Sequence, residues 1–136
     1  MKNECAATLL VIYAKPDFPT YFRHPLLKLL EQQGLNLEYI DTDSHSDDFY
    51  VDFILQSLPD KKRLFVLIEI DPSQKKLPNN CMRILAHLQK MKDKVDILCA
   101  VEHVLLRAYT LGLRICKEQD MHKQVDYIYQ SLSMHN

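Results

Sequence analysis

The chain has 136 residues, with 17 Lys and Arg against 18 Asp and Glu, a formal net charge of −1, four cysteines and two glycines. That length fits one domain, residues 1–136, with room for a sizeable core. Balanced charge gives nucleic acid no basic surface, two glycines nearly exclude a glycine-rich phosphate cradle, and no apolar run approaches the roughly 20 residues of a membrane span.

Thr8 to Ala14 (TLLVIYA) is an apolar run without turn formers. It reads as a buried strand, ended by Lys15-Pro16. A helix follows to about Gln33, with Phe18, Phe22, Leu26, Leu29 and Leu30 on its apolar face and Gly34 just past its end. Glycine there takes the left-handed conformation cheaply. Pro25 inside this pattern either kinks the helix or starts a new turn. Leu35 to Asp41 alternates as a short second strand. Ser46 is the expected N-cap of the next helix, with Asp47 and Asp48 in its first turn. That helix is expected to align Phe49, Phe53, Ile54 and Leu58 on one face and to stop at Pro59.

Leu64 to Ile70 (LFVLIEI) is the most apolar strand, and a strand buried on both faces is usually central in a parallel sheet. Its two acids, Glu69 and Asp71, stand at its carboxyl end, where open α/β sheets place their ligand crevice. The alternative is that both are solvated strand-end acids. A basic loop with Lys75 and Lys76 follows. Asn79 or Asn80 is then expected to cap a helix bearing Met82, Leu85, Leu88 and Met91. Val95 to Val101 is a fourth strand, His103 to Leu111 a short helix closed by Gly112, and Leu113 to Lys117 a fifth strand. Asp120 caps a last helix with Met121, Val125, Ile128 and Leu132 at helical spacing. Five strand-then-helix units predict an α/β fold: a five-stranded parallel sheet, order 2-1-3-4-5, helices on both faces, flavodoxin-like.

Cys5, Cys81, Cys99 and Cys116 show no C-x-x-C spacing, so buried free thiols in a reducing compartment are expected, and no zinc site. Met1 to Ala7 lacks the apolar core of a signal peptide. The expected location is cytoplasmic. Cys99 and His103 form a remote candidate for nucleophile and base, with no third member in view. His24, His87 and His103 read as surface or cap residues.

The segments LLVIYAKPDFPTYFRHPLLKLLEQQGLNL, LFVLIEIDP and LLRAYTLGLRIC resemble, in hydrophobic pattern and helix ends, the receiver domain of bacterial response regulators. The similarity runs from Thr8 to Leu132, with Pro16, Glu31 and Gly34 where the pattern wants them. The resemblance implies a two-component signalling role with a phosphoacceptor pocket, and the pocket residues depart from it. Tyr13 and Ala14 stand where two carboxylates hold Mg²⁺, which needs oxygen ligands. Glu69 stands at the phosphoacceptor aspartate, Ala100 at the phosphoryl-binding Ser or Thr, and Lys117 is the candidate for the pocket lysine, two residues early after Gly112. Asp17 and Asp71 are weak substitutes as Mg²⁺ ligands. The implied protein is a pseudo-receiver that has kept the fold and lost the phosphorelay switch, with no cofactor, and with Mg²⁺ only if the pocket is functional.

Two readings of Glu69 stay open: a pair with Lys117 that holds one active-like state, or a hydrogen bond to local backbone. Tyr13 either places its hydroxyl at the crevice or is a half-buried strand tyrosine. In receivers the face made by the fourth helix, fifth strand and fifth helix meets dimer partners or outputs. Tyr109, Tyr127 and Tyr129 lie in that region, and tyrosine suits interfaces; ordinary helix packing is the alternative. The function expected is a stand-alone protein-interaction module without catalysis, docking protein partners and forming a homodimer through that face. The alternatives are a receiver still phosphorylated at Asp71 and a small flavodoxin-like ligand binder or enzyme. No phosphate loop follows the first strand, which argues against flavin mononucleotide.

Overall fold

The computed structural model describes residues 7–15 and 23–134. The apolar runs form one all-parallel sheet in the order β2-β1-β3-β4-β5, with β1 Ala7–Tyr13, β2 Leu37–Thr42, β3 Leu64–Glu69, β4 Val95–Leu98 and β5 Arg114–Cys116. The helices are α1 Pro25–Gln32, α2 Asp48–Ser57, α3 Asn79–Leu88, α4 Val104–Thr110 and α5 Met121–Met134. The fold is α/β and flavodoxin-like, as the alternation predicts. Among the described residues no helix is long and apolar enough to cross a membrane.

Side-chain alternation splits the core in two. Leu10, Ile12, Val66, Ile68 and Ile97 face α2, α3 and α4. Leu9, Val11, Phe65, Leu67 and Leu98 face α1 and α5. Strand β3 is central and buried on both faces up to Glu69, which is half-buried. Glu69 shares the phase of Phe65 and Leu67, so it turns toward α1 and α5.

Several element ends differ from expectation. Pro25 starts α1, with His24 as its N-cap; Phe18 and Phe22 lie outside the described residues. Proline suits this first position because its missing N–H has no helical partner there. Asp47, not Ser46, caps α2, accepting the Tyr50 N–H at 2.8 Å. Ser46 instead closes a turn with Asp43. Pro78 precedes α3 as its N-cap, while Asn80 is buried and reaches back to the Asp43 and Ser46 carbonyls. The largest difference is the face of α2. Val51, Ile54 and Leu58 are buried, whereas Phe49 and Phe53 are 85% and 65% exposed. A residue step of 100° puts Val51, Ile54 and Leu58 together and Phe49 and Phe53 opposite them.

Candidate functional site

The carboxyl ends of β1, β3 and β4 frame a crevice of about 380 Å³, lined by Lys15, His24, Glu69, Ala100, Gln119 and Gln124 among others. Glu69 and Ala100 therefore meet where the strand-end rule places a site. His24 fixes the geometry. Its Nδ1 accepts the Leu26 N–H at 3.0 Å, which leaves the ring proton on Nε2. Nε2–H donates to Glu69 Oε2 at 2.9 Å. This hydrogen bond outweighs the burial that opposes ionisation and holds the Glu69 carboxyl below its usual range. Lys15 adds a favourable charge nearby.

The same device recurs on the other face of the sheet. His103 caps α4, its Nδ1 accepting the Leu105 N–H at 3.1 Å, and its Nε2–H donates to the Gln74 carbonyl at 2.7 Å. The Gln74 side chain donates to the Ala14 and Lys76 carbonyls. The β3–α3 loop is thereby tied to the end of β1 and the start of α4. Asp71 is exposed and turned into its own loop, where Oδ1 accepts from the Ser73 N–H at 3.0 Å and the Ser73 hydroxyl at 2.9 Å. Those two bonds hold its carboxyl below the usual range.

Lys117 is not part of this crevice. The preceding residue, Cys116, faces α1 and α5; alternation turns the next side chain to the opposite side. Lys117 Nζ lies 2.7 Å from Glu102, and both line a separate groove of about 190 Å³ between α4 and β5. Of the two readings left open for Glu69, the pair with Lys117 is replaced by Glu69–His24 and Lys117–Glu102, and the carboxylate reaches a side chain 45 positions away instead of local backbone. Tyr13 also differs from both readings made for it, since it is fully buried among the residues facing α1 and α5. Burial raises its pKa strongly, and its hydroxyl interacts with Tyr39. The Tyr39 hydroxyl accepts the His24 N–H at 2.9 Å, and burial pushes its own pKa up to about 12. Both phenols stay protonated at neutral pH.

As Mg²⁺ ligands these residues fit poorly. Tyr13 and Ala14 contribute no carboxylate at the end of β1, Glu69 is engaged by His24, and Asp71 by Ser73. Among the described residues no group of three or more His, Cys, Asp or Glu is arranged to hold a metal; Asp17 lies outside them. Cys99 and His103 line the same groove but do not pair. The Cys99 thiol, its pKa raised by burial, points at the Val101 carbonyl at 3.2 Å, while both His103 nitrogens are engaged elsewhere. Cys81, Cys99 and Cys116 are free and buried; Cys5 lies outside the described residues.

Of the three tyrosines considered for an interface, Tyr129 is 50% exposed and Tyr109 packs half-buried against the core. The Tyr127 hydroxyl points inward and donates to Asp96 Oδ2. Asp96 is the residue that sequence reasoning missed. It is 1% exposed, on β4, and its Oδ1 accepts from Arg63 at 2.8 Å and from Arg114 Nη2 at 2.9 Å. Burial pushes its carboxyl up, but the bonds from Arg114, Tyr127 and Arg63 together outweigh this and hold it below the usual range. The signal was an acid inside an apolar strand, with arginines beginning or preceding the neighbouring strands. No family model, curated protein or solved structure matches the chain.

Proposed function

We propose that this chain is a receiver-like interaction module of the two-component type, cytoplasmic, that works by docking protein partners and without Mg²⁺-dependent aspartyl phosphorylation or catalysis. The observation that carries the reading is the Glu69–His24 hydrogen bond of 2.9 Å. A phosphoacceptor needs a free carboxylate beside a metal and a lysine. Here the carboxylate at that position braces the start of α1, and the lysine is 2.7 Å from Glu102 instead. Docking is supported by Val104, Leu111, Ile115 and Tyr129, large apolar or aromatic side chains left exposed on α4, β5, α5 and the turn between. Large apolar side chains left in water are candidates for an interaction surface. A homodimer through this face is the simplest closed arrangement.

The test is a two-dimensional NMR titration with Mg²⁺, then with Mg²⁺ and beryllofluoride, a phosphoryl mimic. The expected result is no saturable shift at Glu69, Asp71 or Ala100. Saturable shifts there, spreading to α4 and α5, would show a working switch and overturn the proposal.

A further inference from the structure

We propose that the outer face of α2 is a second docking surface, separate from the α4–β5–α5 region, and that its occupant is a basic, amphipathic segment of a partner protein. Phe49 and Phe53 are one helical turn apart, directly opposite the buried Val51, Ile54 and Leu58. They stand 85% and 65% exposed, with Tyr50 beside them at 38%. The Tyr50 hydroxyl donates to the Asp41 carbonyl at 2.7 Å, which anchors that ring to the end of β2. Folding leaves two phenylalanine rings in water one turn apart, with the partly exposed Tyr50 at their flank, and such a strip marks a binding surface.

The charge around the rings names the partner. From Asp41 to Asp52 the sequence holds five carboxylates and no lysine or arginine, in a chain whose overall charge is −1; Glu38, just before them, is paired with Lys61 at 2.7 Å. Asp47 and Asp48 precede Phe49, and Asp52 lies between the rings in sequence. Among the described residues, Arg83 of α3 is placed against this face, at 2.5 Å from Asp52 and 3.6 Å from Asp48. One arginine shared by two aspartates leaves the face acidic. An acidic face repels phosphate backbones and anionic lipid headgroups, and attracts Lys- and Arg-bearing segments. Large apolar side chains set among those cations would cover the phenylalanines.

Two synthetic peptides with the same leucine and phenylalanine pattern test this, one with lysine and one with glutamate at every polar position. Each is titrated into the isotope-labelled full chain. The lysine peptide is expected to give saturable shifts confined to α2 and the β2–α2 loop, weakened by added salt. Phe49→Ser with Phe53→Ser is expected to lower its affinity by at least about tenfold. Both side chains point outward, and circular dichroism checks that the fold is kept. Asp48→Asn with Asp52→Asn leaves the rings in place and is expected to weaken the same peptide. Equal binding of the glutamate peptide, shifts centred elsewhere, or affinity unchanged in both double variants would overturn the proposal. Sedimentation of the chain alone gives a further arm. Self-association lost in the Phe49/Phe53 variant would make a second copy the occupant and overturn the assignment to a partner.

Discussion

His24 and Glu69 show how one ring can do two jobs at a strand end. The Nδ1 acceptor satisfies an orphan N–H of α1, and Nε2–H holds the carboxylate. Glu69→Gln keeps an acceptor for Nε2–H and is expected to cost less than about 1 kcal/mol. His24→Ala loses both the cap and the pair and is expected to cost about 2 kcal/mol. Urea denaturation of the two variants measures the difference; equal costs would mean that the cap contributes nothing. Asp96 is a harsher case, because its removal strands the buried Arg63 guanidinium beside a gap, while the half-exposed Arg114 keeps water and the Asp93 carbonyl. Asp96→Ala is expected to cost about 3–5 kcal/mol, as for other buried ion pairs broken on one side. Its pH behaviour follows from the depressed folded pKa. The stabilisation is fully present above the unfolded carboxylate value of about 4 and is lost as pH falls through the lower folded value. Stability measured below about pH 4 is therefore expected to fall less steeply in Asp96→Asn than in the parent chain.

At the scale of elements, the two glycines allow a controlled comparison. Gly34 closes α1 at φ 79°, and a Cβ there would meet nothing within 4 Å. Gly112 sits at φ 82° between α4 and β5, where a Cβ would come 3.1 Å from Lys92 Nζ. Gly34→Ala is expected to cost about 1 kcal/mol from conformation alone. Gly112→Ala is expected to cost about the same in thermal unfolding, since the flexible lysine end moves aside; a much larger loss would mean that Lys92 is held in place. The α4–β5–α5 region offers another comparison. Ile115 is 39% exposed on an edge strand. If this face joins two copies, Ile115→Glu is expected to shift the mass seen by light scattering toward the monomer while leaving the fold intact.

Across the molecule, the two core layers enclose the described thiols Cys81, Cys99 and Cys116, and Cys81 is fully buried behind β1 with its pKa pushed up to about 12 by burial. Neither access nor thiolate is present in the native state. In a Cys5→Ser background, alkylation of Cys81 is expected to run at the rate of global opening and to accelerate only when denaturant populates the unfolded state. Fast labelling under native conditions would show that the α3 side opens by itself.

The order of strands was legible in the sequence because each apolar run, turn residue and glycine acts locally, and short crossovers leave few parallel sheets to choose from. The central place of Leu64 to Glu69 and the crevice beside Glu69 and Ala100 followed from that order. Pairing was not legible. His24 and Glu69 are separated by 45 positions and meet because β3 alternation turns Glu69 toward α1. Lys117 was a candidate for the crevice through the receiver resemblance alone, and the opposite strand phase took it to Glu102. The aromatic face of α2 was misjudged because Phe49 and Phe53 were grouped with Ile54 and Leu58, although a step of 100° per residue sets the two pairs on opposite sides. Local chain chemistry determined the elements and their order; only the tertiary structure decided which polar groups meet, because partners distant in sequence are chosen by strand phase and helix rotation.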